Sequence, residues 1–276
     1  MAEAFGLIEV RRALAEDRAG EDVTTRLLGA AAKQSAEARF VAEGRFDVAG
    51  VPLLATVFHE LDPAAAVSLA IPEGSWALTG ATLAAVCGGA GALLAGERVA
   101  LNFLQRLSGV ATLTRQVVDA VRGTGAKITH TRKTTPGLRN LELYAIRIGG
   151  GVENRASLAD AILWKDNHWA LLDGRSLRDA LRNAPDNVPV VVEVETDAQV
   201  EAALAAGVTH LLVDNQPPDQ LAAWARRAGP AVTIQASGGI TAVTARAYAD
   251  AGASLIAIGA LTHSAPAAPI RCDISA

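Results

Sequence analysis

Six short apolar runs in the second half of the chain each end in polar, reactive side chains. They are residues 127–133 (KITHTRK), 161–168 (AILWKDNH), 189–196 (PVVVEVET), 210–215 (HLLVDN), 232–239 (VTIQASGG) and 255–262 (LIAIGALT). From the second run onward they recur roughly every two dozen residues, with Ala-rich helical stretches between neighbours. This is the pattern of strands alternating with helices in a parallel barrel. Barrel enzymes place their chemistry where strands end. The cadence therefore predicts that six clusters, distant in sequence, converge on one site.

The chain has 276 residues, half of them hydrophobic, enough for one large domain or two unequal ones. No apolar run reaches the ~18 residues of a membrane span. The start, MAEAFGLIEVRRALAEDRAGED, lacks the basic and then apolar organisation of a secretory signal. Only Cys87 and Cys272 occur, so a cytoplasmic protein without a disulfide framework is expected. A net charge of −4 argues against nucleic-acid binding. Against that acidity, Arg98, Arg132, Lys133, Arg139, Arg155 and Lys165 lie in one acid-poor stretch of motifs. Convergent cations on an acidic protein point to a small, strongly anionic ligand.

The first hundred residues have another rhythm. Leu7, Val10 and Leu14 sit at helical spacing, and 21–25 (EDVTT) forms a polar turn. Residues 36–41, 47–51 and 66–71 read as short strands, 53–61 as a helix, and 81–87 as a strand or short helix. The expectation is a small mixed α/β domain. Val99, Phe103, Leu107, Val110, Leu113, Val117 and Val121 then mark one face of a long helix that Gly123 ends. The tail after Thr262 has no helical period and is expected to pack back on the first domain.

Five constellations carry chemistry. Arg132 and Lys133 end a strand before a Pro-Gly turn; arginine offers carboxylates a planar fork and lysine a point charge. Gly149, Gly150 and Gly151, before Asn154 and Arg155, allow close backbone approach or simply stop a helix. Lys165, at a strand end, is suited to binding an anion, forming a Schiff base or pairing with a carboxylate. Its neighbours Trp164 and His168 read as packing and structural hydrogen bonding. Glu193, Glu195 and Asp214 form a carboxylate set suited to Mg²⁺ or to barrel salt bridges. Ser237, Gly238 and Gly239, with Gly259 and Ala260 one strand later, expose backbone N–H groups where barrels bind phosphate, or form tight turns.

Taken together, these motifs closely resemble the quinolinate phosphoribosyltransferase family. The likeness runs from EDVTT through GERVALNFLQRLSG, TRKTTPGLR, GGG, KDNH, VEVE and VDN to SGGI and IGALTHSA. The resemblance implies an N-terminal open α/β sandwich domain, residues 1–108, and an incomplete, TIM-like parallel α/β barrel of fewer than eight strands, residues 109–262. The tail, 263–276, would return to the first domain. It implies transfer of a phosphoribosyl group from phosphoribosyl pyrophosphate to quinolinate, with Mg²⁺ and decarboxylation, giving nicotinate mononucleotide. It also implies a homodimer in which Arg98 reaches into the partner's site. Matched residue by residue, Arg98, Arg132, Lys133, Asn154, Arg155, Lys165, Ser237, Gly238, Gly239, Gly259 and Ala260 bind substrates. Lys133, Lys165, Glu193 and Asp214 are catalytic, and Glu193 and Asp214 hold the metal.

Three positions depart from the family pattern. Asn154 stands where a histidine is usual, His130 where an aspartate precedes Thr-Arg-Lys, and Leu143 where a lysine is common. They open an alternative acceptor, another aromatic or heteroaromatic acid. A Schiff-base lyase built on Lys165 and a non-catalytic metabolite sensor rank behind both.

Overall fold

The computed structural model describes residues 4–276. The chain divides into two compact units. One runs to Leu113 and takes in Thr135–Gly149 and Ser264–Ala276; the other holds Thr114–Thr134 and Gly150–His263. The segment Thr135–Gly149, which lies within the barrel span in sequence, thus groups with the first unit.

The first unit is built on a four-stranded antiparallel sheet. Strand β1 (Ser35–Ala42) alternates outward and inward residues, and Ala36, Ala38 and Phe40 are buried. The short β2 (Phe46–Asp47), β3 (Ala66–Leu69), β4 (Trp76–Ala77) and β5 (Thr82–Gly89) follow. β1 lies between β5 and the C-terminal strand Ile270–Ser275, and β3 borders β5. The helix Pro52–Leu61 buries Leu53, Leu54, Val57 and Phe58, and the Phe58 ring lies 6.1 Å from that of Phe40.

Two expectations for this unit need correcting. Residues 47–51 form a strand only at Phe46–Asp47; Val48, Ala49 and Val51 are buried irregular chain. Their polar backbone is met by side chains instead of a strand. Ser108 Oγ donates to the Ala49 carbonyl and accepts its N–H, each at 3.1 Å. The Glu73 carboxylate accepts from Gly50 and Val51 N–H and from the Tyr144 hydroxyl. Burial satisfied in this way looks like a strand in a hydrophobicity pattern. The tail, which lacks a helical period, forms a strand on β1: Ile270, Cys272 and Ile274 alternate with Arg271, Asp273 and Ser275, a period of two. The long helix, finally, begins at Ala90 and ends at Ala120, nine residues earlier than its apolar stripe announces. Gly91 and Gly96 weaken the sequence signal. They are there for contact: a Cβ on Gly96 would stand 2.8 Å from the Phe58 ring.

The second unit is a six-stranded, all-parallel sheet. Its strands are β6 (Lys127–Thr129), β7 (Ile162–Trp164), β8 (Val190–Val194), β9 (His210–Asp214), β10 (Thr233–Ser237) and β11 (Leu255–Ala257), in the order β6-β11-β10-β9-β8-β7. Each expected run contains one strand, and the sheet is short of the eight strands of a full barrel, as the family likeness implies. Val152 adds a single parallel bridge to Thr129 on the free side of β6. The intervening helices start on recognisable signals. Thr196 and Gln199 form a capping box before Asp197–Ala205, and Pro218 opens Pro218–Ala228. Trp224 is buried, and its indole donates to Asp197 Oδ1 at 2.9 Å.

Within the first unit the tail lies against the long helix at Gly109, where an added Cβ would sit 2.0 Å from the Pro266 carbonyl oxygen. Gly109→Ala is therefore expected to cost about 1–3 kcal/mol through overpacking, read as a lower urea midpoint. An unchanged midpoint would contradict this packing.

Candidate active site

All six strands of the second unit run the same way, so their carboxyl ends share one edge. Arg132 and Lys133 follow β6 and Lys165 follows β7. Glu193 and Glu195 stand at the end of β8, Asp214 at the end of β9, and Ser237 to Gly239 at the end of β10. Gly259 and Ala260 follow β11. Asn154 and Arg155 come just after the Val152 bridge to β6. All the sequence-derived site residues except Arg98 belong to this unit. Arg98 lies on the long helix in the first unit, 62% exposed at its side chain, with Glu97 3.9 Å away.

The electrostatics show which groups feel one another. Burial, then the neighbouring Arg132, lowers the Arg155 pKa; Glu193 and Asp160 oppose the shift. Two guanidinium groups held close against their mutual repulsion suit a ligand of more than one negative charge. Arg155 Nη1 also donates to the Ala161 carbonyl at 3.3 Å. Arg132 Nε is buried without a hydrogen-bond partner. A buried guanidinium N–H seldom stays unmatched in a folded protein, and a ligand or water oxygen can take it.

The carboxylates show the converse. Burial first, and the Asp214 charge second, raise the Glu193 pKa; the Asp166 backbone N–H and Lys165 pull it down. One oxygen each from Glu193, Glu195 and Asp214 lie within 4.8 Å of one another. Of the roles open to Lys165, pairing with carboxylates is the one visible here: its Nζ lies 3.9 Å from Asp166, and its charge acts on Glu193.

The glycine turns are tight for stated reasons. Gly238 has φ of +94°, and a Cβ there would come within 2.2 Å of Asn215 Oδ1. Asn215 is itself left-handed, at φ of +52°, and donates from its side chain to Asp214 Oδ2 at 2.6 Å and from its backbone to the Ser237 carbonyl at 3.0 Å. Thr262 Oγ1 donates to the Lys133 carbonyl at 2.7 Å, and the Lys133 stem would meet a Cβ on Gly259 at 3.3 Å. The ends of β6 and β11 are thereby joined. Gly149 closes the helix Arg139–Ile148, so the helix-stop reading of the triple glycine holds.

Some roles differ from expectation. Both polar side-chain atoms of Asn154 face protein: Nδ2 donates to the His130 carbonyl at 3.3 Å, and Oδ1 accepts the Arg155 N–H at 2.8 Å. Glu153 is exposed. His168 is structural, as its sequence position suggests, its Nδ1 accepting the Lys165 N–H at 3.2 Å. Trp169 and Asn215 also shape the site; Trp169 does not stand out in the sequence, and Asn215 does so only as the end of the HLLVDN run. Trp169 donates its indole N–H to the Glu193 carbonyl at 2.9 Å. The left-handed tendency of asparagine is a second hint at Asn215.

Cations, clustered carboxylates and glycine turns on the carboxyl edge of a parallel sheet define a barrel-type enzyme for small anionic substrates. Residues 22–108 match the N-terminal domain, and residues 110–273 the C-terminal domain, described as quinolinate phosphoribosyl transferase. This chain belongs to the quinolinate phosphoribosyl transferase family. It is 39% identical over 274 residues to the carboxylating nicotinate-nucleotide pyrophosphorylase of Mycobacterium leprae, covering 96% of this chain and 95% of that one. It is 36% identical over 261 residues to the human protein of the same name, covering 92% and 86%. The crystal structure of nicotinate-nucleotide pyrophosphorylase from Ehrlichia chaffeensis matches with a TM-score of 0.92 at 33% identity, covering 100% of both chains.

The raised Glu193 pKa carries a prediction with a definite sign. Above the folded pKa the ionised carboxylate opposes folding; as pH falls and it protonates, that penalty disappears. Glu193→Gln should therefore raise the melting temperature in chelator at neutral pH, and the gain should vanish on acidification towards the ordinary value of 4.5. A variant less stable than the parent at neutral pH would refute the account.

Proposed function

We propose that this enzyme transfers the phosphoribosyl group of phosphoribosyl pyrophosphate to the ring nitrogen of quinolinate and decarboxylates the product, giving nicotinate mononucleotide, pyrophosphate and CO₂ in NAD biosynthesis. Family membership supports the reaction. The observation that carries the substrate is Arg155, whose pKa burial and the Arg132 charge both lower, beside an Arg132 with a buried Nε lacking an acceptor.

Arg132 and Arg155 would grip the two ring carboxylates and turn the ring nitrogen towards C1 of the ribose. Positioning of this kind is worth up to about 7–11 kcal/mol. The nitrogen lone pair forms the new bond to C1 as the bond from C1 to the pyrophosphate oxygen breaks. Glu193 and Asp214 would face the sugar as it gains positive character. Lys133 and Lys165, with the backbone at Ser237, Gly238, Gly239, Gly259 and Ala260, would hold phosphate oxygens. Once the ring nitrogen is cationic, the bond to the adjacent carboxylate breaks and leaves its electron pair beside that charge. CO₂ departs, and the carbon takes a proton from solvent. Asn154, engaged with His130 and Arg155, is assigned to holding the loop instead of the substrate.

The carboxylate set fits Mg²⁺: these are hard oxygen donors, and Glu193 and Asp214 repel each other without a cation between them. We assign Glu193 and Asp214 as its protein ligands, with Glu195 beside them. Bound there, the ion supplies charge neutralisation for the departing pyrophosphate. We further propose a homodimer in which the exposed Arg98 completes the partner's site. We place the reaction in the cytoplasm, which suits the two free cysteines. No helix among the described residues is long and apolar enough to cross a membrane.

Arg132→Ala and Arg155→Ala should each weaken quinolinate binding by about 2–5 kcal/mol. Gly238→Ala should instead raise the KM for phosphoribosyl pyrophosphate. Turnover of another pyridine carboxylate but not quinolinate would overturn the acceptor. For the dimer, Arg98→Ala and Arg155→Ala chains should each be inactive alone. After subunit exchange they should recover about a quarter of normal activity, because half the dimers then carry one intact site. No recovery despite demonstrated exchange would place Arg98 elsewhere.

A further inference from the structure

His130 is 1% exposed, and the proposed reaction gives it no role. It directly follows β6, two positions before Arg132. Alongside it, the segment leading to Arg155 begins as a parallel ladder. The Val152 N–H donates to the Ile128 carbonyl at 2.8 Å, and Thr129 Oγ1 donates to the Val152 carbonyl at 2.9 Å. In a regular parallel ladder the next rung would run from the Asn154 N–H to the His130 carbonyl. Here that N–H donates to His130 Nε2 at 3.0 Å, and the Asn154 carboxamide donates to the vacated His130 carbonyl at 3.3 Å. Two side chains have been inserted into one rung. The backbone pairing stops at the Thr129–Val152 bridge.

The consequence falls on Arg155. With its Nδ2 held by His130, Asn154 turns its Oδ1 onto the Arg155 N–H at 2.8 Å. The guanidinium then reaches the Ala161 carbonyl at 3.3 Å, just ahead of β7. Accepting at Nε2 requires the imidazole to be neutral with its proton on Nδ1. That nitrogen lies 3.3 Å from the Thr131 carbonyl, which can take the hydrogen bond.

We propose that His130 is a positioning residue for substrate binding: its neutral imidazole props the Asn154 loop and so sets where the Arg155 guanidinium stands. The inference rests on the reading that Arg155 holds a quinolinate carboxylate. His130 is 1% exposed, and the role assigned to it runs through that side chain.

The test is quinolinate affinity and steady-state kinetics of the full chain carrying His130→Leu, His130→Asn, His130→Gln, Arg155→Ala or His130→Leu with Arg155→Ala. His130→Leu removes the acceptor. His130→Asn keeps polarity but is too short, and serves if the leucine variant does not fold. His130→Gln places an oxygen near the position of Nε2. The expected result is a loss of quinolinate affinity of about tenfold or more in the first two, with the KM for phosphoribosyl pyrophosphate changed by less than about twofold and most of the loss restored in His130→Gln. The double variant should bind quinolinate no worse than Arg155→Ala alone, because residues acting as one unit are not additive. Additive losses, equal losses for both substrates, or no rescue by His130→Gln would overturn the proposal. So would normal affinity in the first two variants while Arg155→Ala is impaired, an outcome that leaves the Arg155 reading standing. If Arg155→Ala itself binds quinolinate normally, the reading of Arg155 falls, and this inference with it.

Discussion

The parallel alignment of six strands is the constraint on which the site depends. Parallel pairing gives every strand the same polarity, so whatever follows the last residue of each emerges on one edge. Residues as far apart as Arg132 and Gly259 come to lie along that edge without any local interaction between them. The edge is also where the ladder hydrogen bonds end. Turns, caps and side chains must satisfy the backbone there, and these are the groups that aim the functional residues.

Like charges act on one another along this edge. The two arginines repel each other, as do Glu193 and Asp214, and burial sharpens both effects by removing water. Such arrangements cost stability in the isolated chain and are relieved when ligands of opposite charge arrive. A dicarboxylate at the arginines and a cation at the carboxylates would meet both needs. The supporting contacts are mostly neutral hydrogen bonds to backbone. Trp169 fixes the Glu193 carbonyl, Asn215 the Ser237 carbonyl and Thr262 the Lys133 carbonyl. They hold the charged groups in place without cancelling their charge.

Much of the architecture was legible in order along the chain. The six apolar runs coincide with six strands because fully buried parallel strands are short, continuous and β-branched, and alternate with helices that carry their own start signals. The first unit was harder to read. The run 47–51 is buried like a strand, but Ser108 and Glu73 satisfy its backbone, and composition carries no trace of such distant partners. Gly91 and Gly96 argue locally against the helix they belong to, and only close packing explains them. The tail strand was legible in the alternation of Ile270, Cys272 and Ile274, although its partner strand β1 lies more than two hundred residues earlier.

By itself, the sequence determined which chemical groups the site would contain and the strand ends that would deliver them, since strand period and residue type are local properties. Tertiary structure decided what those groups do to one another. Asn154 looks like a substrate contact until its amide is found bound to His130 and Arg155. Glu193 looks like any strand-end acid until burial and Asp214 raise its pKa. Hydrogen-bond partners and dielectric surroundings come from segments distant along the chain, and they exist only once the strands have closed side by side.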